Sequence, residues 1–225
     1  MRCNQRIPEG RALNSACEAL FARAARWGGR PAAGRICQIL KDTVKPGMKV
    51  LDIGTGPGAI PFHLKKRYSD ASFTGLDISP GILQKAMRGQ KGNSGPVAFL
   101  CGDGEALPFG PQTVDVILSF FALHHMDHPE HLLMEIDRVL KPGGILLMID
   151  FRRDMAHGLY RFLNALWKTA FFFTAGRSGF EDSVQSAWLP DEMDSRLKHI
   201  GSNRFRLHAN PMELWVMANI GESDA

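Results

Sequence analysis

The stretch Val50-Leu51-Asp52-Ile53-Gly54-Thr55-Gly56-Pro57-Gly58 decides how the rest of the chain is read. An apolar run carrying one acid passes directly into three glycines at alternate positions. Glycines at such a junction let the backbone turn sharply and let a ligand approach with no Cβ in the way. A purely structural turn is the plainer alternative. On either side, Lys49–Ile53, Ser72–Leu76, Val97–Leu100, Val114–Ser119 and Ile145–Ile149 read as strands. Helical stretches at 58–68, 80–90 and 129–140 lie between them. In the last of these Leu132, Leu133, Ile136, Val139 and Leu140 form one stripe, Pro129 suits the first turn, and Pro142-Gly143-Gly144 stops it. Strand and helix alternating in this way predict a parallel sheet covered by helices.

The flanks follow other rhythms. Residues 12–27 read as a helix with Leu13, Ala16, Leu20 and Ala24 on one face, ended by Gly28-Gly29-Arg30-Pro31. A second short helix is expected near 32–43, before a Lys45-Pro46-Gly47 turn. Residues 155–173 form an aromatic-rich helix, 174–187 a Gly/Ser-containing loop, and Pro190-Asp191-Glu192 opens a further helix with acids in its first turn. Strands near Asn203–His208 and Met212–Asn219, joined at Asn210-Pro211, should pair as an antiparallel hairpin. The division expected is an N-terminal helical cap over 1–44 and an α/β domain over 45–225 with a lid near 152–187.

Composition narrows the classes. At 225 residues, 44% hydrophobic and 22% charged, the chain suits one large globular domain. The net charge of +4 is mild, but Arg2, Arg6, Arg11, Arg23, Arg26, Arg30 and Arg35 face only Glu9 and Glu18 within residues 1–35. That segment could touch an anion, yet a nucleic-acid protein usually shows a broader basic surface. No run approaches the roughly 18 apolar residues of a membrane span. No apolar signal core opens the sequence, and Cys3, Cys17, Cys37 and Cys101 make no CxxC pair. A reducing, cytoplasmic compartment is the expectation.

Two ligand readings compete at the glycine loop. Gly54, Gly56 and Ala59 fit a dinucleotide fingerprint, and Asp77, 23 positions after Gly54, stands where a ribose acceptor belongs. Nicotinamide cofactors and S-adenosylmethionine both carry that ribose, so Asp77 does not separate them. Asp52 does: a carboxylate at the strand mouth repels a pyrophosphate, whereas a sulfonium and an ammonium favour it. A partner for the helix dipole is the plain alternative for Asp52. Asp103, in Cys101-Gly102-Asp103-Gly104-Glu105-Ala106-Leu107-Pro108-Phe109, could accept from an adenine amino group or make a local Asx turn.

These residues, followed by Val114-Asp115-Val116, Leu123-His124-His125 and Arg138-Val139-Leu140-Lys141-Pro142-Gly143-Gly144, resemble the class I S-adenosylmethionine-dependent methyltransferases. The likeness is nearest to the small-molecule branch that includes ubiquinone and menaquinone biosynthesis enzymes, and it covers about residues 45–151. It implies a Rossmann-like fold: seven strands, mostly parallel, with a C-terminal antiparallel strand and helices on both faces. Gly54, Thr55, Gly56 and Gly58 would line the methionine part of S-adenosylmethionine, and Asp52 would support that loop. Asp77 would bind the ribose and Ile78 would lie against the adenine. Asp103 would meet the adenine amino group with Gly104 and Glu105 alongside, and Ser119 and Phe120 would face the methionine end and the substrate.

Departures from the family limit the chemistry. Ser119-Phe120-Phe121-Ala122 replaces the Asn/Asp-Pro-Pro-aromatic run of members that methylate exocyclic amines. Cys101, in the third strand, is read as core rather than as a nucleophile. His124 and His125, with Asp127 and His128, could supply a base where the acceptor must lose a proton. The local alternative is that one histidine bonds nearby and Asp127 or His128 caps the helix at Pro129. The spacing matches no known zinc pattern, so no metal is expected. The function expected is methyl transfer to a small acceptor, apolar or aromatic if Phe162, Trp167 and their neighbours wall its pocket. An NAD(P)-dependent oxidoreductase, a non-catalytic scaffold of the same fold and an RNA methyltransferase are the rivals. Neither the acceptor nor the oligomeric state is legible, and a homodimer is left open.

Overall fold

The computed structural model describes residues 6–7, 31–41, 43–90, 95–170 and 179–220. The helix expected at 12–27 and the end of the aromatic helix at 171–173 lie outside them. A helical segment over residues 31–40 (α1) precedes β1 (Lys49–Ile53), α2 (Ala59–Arg67), β2 (Ser72–Asp77), α3 (Pro80–Gly89), β3 (Ala98–Cys101) and β4 (Val114–Phe120). A 3-10 turn at Leu123–His125 leads to α4 (Pro129–Val139) and β5 (Leu140–Phe151). The chain continues through α5 (His157–Ala170), α6 (Gly179–Ser186), α7 (Pro190–Ile200), β6 (Arg206–Ala209) and β7 (Glu213–Ala218).

The sheet has seven strands in the order β3-β2-β1-β4-β5-β7-β6. β1 to β5 are mutually parallel, and β7 runs antiparallel to both β5 and β6, as the hairpin reading requires. Side chains alternate along β1 between two cores. Leu51 and Ile53 pack with Leu132, Leu133, Ile136 and Val139 of α4 and with Met193 and Leu197 of α7. Val50, on the other face, packs with Ile36 and Leu40 of α1, with Ile60 and Leu64 of α2, and with Trp215 of β7. Strands buried on both faces are what a parallel sheet between helical layers requires. β1 leads outward to β2 while its parallel neighbour β4 leads outward to β5, so the connections leaving the C-terminal ends of these two strands diverge. That divergence opens a crevice, the usual ligand position in an open α/β sheet.

Three expectations are corrected. The stretch read as a loop at 174–187 contains helix α6, whose Phe180 and Val184, one turn apart, are buried with Met155, while Glu181 and Asp182 occupy its first turn. Pro142-Gly143-Gly144 does not separate helix from strand: β5 starts at Leu140, which pairs Val114, and the register then jumps to Ile145 opposite Val116. The Pro-Gly-Gly triplet fills that bulge, with Gly143 at φ +72°. Cys101 is exposed and not core, because β3 is the edge strand of the sheet.

Candidate active site

The glycine loop is built by backbone demands. Gly54 and Thr55 both donate their N–H to the Leu76 carbonyl, at 2.8 and 3.0 Å, so the loop doubles back over the end of β2. Gly54, Gly56 and Gly58 sit at φ +71°, +54° and +77°, the left-handed region that side chains disfavour. A Cβ at Gly54 would lie 2.3 Å from the Ala122 Cβ. One at Gly58 would meet the Phe62 and Phe99 rings at 2.8 and 2.9 Å. The glycines therefore let three elements close on one another as well as forming a cradle.

A cleft opens beside this loop. Among the residues singled out from sequence, Gly54, Asp77, Ile78, Asp103, Gly104 and His125 line it. Asp77 is braced from behind: its Oδ2 accepts from the Gly56 N–H and its Oδ1 from the Ser79 N–H, each at 2.9 Å. Ser79 also caps α3, its Oγ accepting from the Ile82 N–H at 3.2 Å. Ile78 is exposed and offers an apolar face at the rim. Asp103 both lines the cleft and forms the Asx turn, accepting from the Glu105 N–H at 2.9 Å. Thr55, Gly56, Gly58, Glu105, Ser119 and Phe120 fall outside the cleft lining.

Asp52 lies beneath the loop and is 2% exposed. Burial pushes its carboxyl up to about 7, and the nearby Asp77 charge adds to the rise. Its Oδ2 accepts no hydrogen bond from the described residues. An unsatisfied buried carboxylate oxygen beside a glycine cradle suits a cationic group in that cradle. The residues present thus fit S-adenosylmethionine: a cation-seeking acid, a braced acceptor and an apolar rim.

The two histidines separate. His124 turns inward, is 3% exposed, and places Nδ1 2.7 Å from Asp150 Oδ1. Its own N–H bonds Asp150 Oδ2 at 2.8 Å. His125 faces the cleft, and burial, followed by the adjacent His124, brings its pKa down to about 3. His125 is therefore neutral at physiological pH and a weak base. The His128 side chain makes no cap bond to α4, and Asp127 pairs with Arg6 at 3.3 Å.

Sequence reasoning missed Phe121, Ala122 and Met126 in the wall. Phe121 sits at φ +51°, held by its N–H to the Ile149 carbonyl at 2.8 Å and stacked on Phe151 at 4.2 Å. A bulky residue in that region is strained, and such strain gathers at functional sites. It also missed Glu135, whose Oε2 accepts from the Leu107 N–H at 2.7 Å. Arg138 completes that brace, reaching the Phe109 and Leu107 carbonyls at 2.8 and 3.0 Å. Its spacing of three from Glu135 on a helix was the available signal.

Residues 51–148 match the family model described as the methyltransferase domain. The ubiquinone/menaquinone biosynthesis C-methyltransferase UbiE of Bordetella avium is 35% identical over 159 residues, which cover 66% of this chain and 62% of that protein. A phthiotriol/phenolphthiotriol dimycocerosates methyltransferase 1 of Mycobacterium ulcerans is 37% identical over 106 residues, 47% of this chain and 38% of that one. This chain thus spans less than two thirds of either relative. Among solved structures, the plantazolicin methyltransferase BpumL, in complex with a pentazolic analogue and S-adenosylhomocysteine, matches with TM-score 0.68 at 16% identity. That match covers 91% of this chain and 90% of that one, a likeness of fold. No helix among the described residues is long and apolar enough to cross a membrane.

Proposed function

We propose that this chain, whose residues 51–148 match the methyltransferase domain model, transfers a methyl group from S-adenosylmethionine to a small-molecule acceptor by in-line displacement. The observation that carries the reading is the Asp77 carboxylate, fixed by two backbone amides on the wall of a glycine-lined cleft. The bound cofactor supplies a methyl group already activated by the sulfonium. The work left to the chain is orientation and exclusion of water. Asp77 takes the ribose hydroxyls, Ile78 and Ile82 cover the adenine, and Asp103 orients its amino group. Asp52 offsets the positive charge held at Gly54–Gly58. This argues against a nicotinamide cofactor, whose pyrophosphate would meet the same buried acid.

His125, neutral and at the wall, orients the acceptor by hydrogen bonding, and the lowering that burial imposes makes it a weak base. His124 positions it from within. The acceptor enters between the turn and the layer formed by α5 and α6, where Phe151, Tyr160, Trp167 and Phe180 gather. An apolar or aromatic acceptor suits that lining. Two relatives are named for ubiquinone or menaquinone and for phthiotriol dimycocerosates, which supports the same class. We assign residues 45–225 to the methyltransferase domain, with 1–44 as its cap and 152–187 as its lid. The exposed Cys101 thiol suits a reducing cytoplasmic setting.

Calorimetric titration with S-adenosylmethionine, S-adenosylhomocysteine and NADH, on the wild type and on Asp77→Ala, tests the reading. Saturable binding of the two sulfur nucleotides, lost in Asp77→Ala and absent for NADH, is the expected result. Binding of NADH alone would overturn it.

A further inference from the structure

Arg6 lies far outside the matched domain, yet its side chain reaches the wall of the cleft. Its Nη2 donates to two carbonyls, His124 O at 2.8 Å and Met126 O at 2.9 Å. These carbonyls flank His125 on both sides in sequence, and His125 and Met126 both line the cleft. The Nε donates to the Ser186 carbonyl at the end of α6, at 2.7 Å, and Nη1 reaches Asp127 at 3.3 Å. The guanidinium also lies 4.2 Å from the Trp188 ring centre, and Arg196 lies 4.3 Å from it. The next residue, Ile7, donates its N–H to Gln185 O at 3.3 Å. Only 11% of the Arg6 side chain is exposed.

The two carbonyls belong to the end of a 3-10 turn, where backbone acceptors lack partners from within the turn. A planar, permanently charged fork suits several acceptors at once, which a lysine ammonium does not reproduce. We infer that Arg6 is a positioning residue of the active site: it clamps the backbone on both sides of His125 and ties that turn to α6 and Trp188, so that the cleft wall is set before ligand arrives. The inference rests on the methyltransferase reading for the identity of the ligand, but not for the clamp itself.

Two readouts on Arg6→Gln and Arg6→Lys separate these levels. Hydrogen exchange without ligand follows the His125 and Met126 amides, which bond to Ala122 O and Leu123 O inside the turn. Exchange at both should quicken about tenfold in Arg6→Gln, the loss of roughly one charge-assisted contact, with α4 and β5 unchanged. Arg6→Lys should fall between Arg6→Gln and wild type. S-adenosylhomocysteine affinity should weaken by a similar factor while the melting midpoint moves little. Unaltered exchange at the two amides overturns the clamp, as does acceleration confined to α6. Faster exchange with unaltered affinity overturns its role in the site. Wild type that fails to bind S-adenosylhomocysteine sinks the methyltransferase reading, and the exchange measurement still decides the clamp.

Discussion

His124 Nδ1 and Asp150 Oδ1 lie 2.7 Å apart, with both side chains 3% exposed. The same carboxylate accepts the His124 N–H at 2.8 Å and the Phe151 N–H at 2.6 Å. One buried acid thereby joins the end of β5 to the turn that carries His125. Removing a partner from a buried charged contact strands the other group. Asp150→Ala should cost about 3–5 kcal/mol of stability, read from urea unfolding. A cost below about 1 kcal/mol would mean the pair is not the anchor described.

The pH dependence of stability should contain two opposing contributions. Asp52 has a folded pKa raised to about 7, so the folded state holds its proton when the unfolded chain has lost it. Its contribution is most favourable below the unfolded carboxylate value and declines as pH rises towards 7. His125, lowered to about 3, behaves in reverse: its contribution is intact above the unfolded histidine value near 6.5 and is lost as pH falls. Between pH 4 and 6.5 the two slopes oppose, each at most about 1.4 kcal/mol per pH unit. Asp52→Asn should leave stability rising with pH over that window, and His125→Gln should leave it falling. Parallel profiles for the two variants would refute the assignment.

How much of this was legible in the sequence depended on whether a signal was local. β1 was legible to the residue, because an apolar run ending in glycines has few other readings. The hairpin was legible from Asn210-Pro211, and Asn210 Oδ1 indeed accepts from Met212 N and Glu213 N at 2.9 and 2.7 Å. α6 was not, because its two buried apolar residues find their partners on α5 and β5, outside the helix itself. Cys101 looked like core because its neighbours are apolar; only the strand order shows β3 to be an edge. The two histidines were equivalent in sequence and distinct in space, since Asp150 selects one of them from 26 residues away. Arg6 stood out only as one of seven arginines in a basic segment, and nothing local tied it to the turn at His125.

Gly54 should tolerate no side chain. Alanine there would combine strain at φ +71° with a Cβ 2.3 Å from that of Ala122. Left-handed strain costs about 1–2 kcal/mol and overpacking about 1–3, so Gly54→Ala should lose roughly 2–5 kcal/mol in urea unfolding and most nucleotide affinity. Gly143→Ala shares the positive φ but meets nothing within 4 Å. It should lose only the strain contribution and leave affinity intact.

The exposed Cys101 thiol sits at the end of β3, immediately before Gly102 and Asp103 of the cleft wall. It should react with a maleimide in the folded protein faster than Cys37, which is half-buried and whose pKa burial raises. Saturating S-adenosylhomocysteine should slow the Cys101 reaction by covering that wall. Mass spectrometry of the labelled peptides reads both outcomes. Equal labelling of the two sites would contradict the edge position of β3.

Phe162 and Trp167 lie on one helix and should behave differently. Phe162 is 61% exposed, whereas Trp167 packs among the aromatics beside Phe180, their ring centres 6.4 Å apart. Phe162→Ser should alter unfolding free energy by no more than about 0.5 kcal/mol, as surface changes usually do. Trp167→Ala opens a gap in the small core between α5 and α6 and should cost about 2–4 kcal/mol. S-adenosylhomocysteine affinity should survive both, because neither residue lines the cleft beside Gly54 and Asp77. Loss of affinity in Phe162→Ser without loss of stability would place α5 over the cofactor and overturn its assignment to the acceptor side.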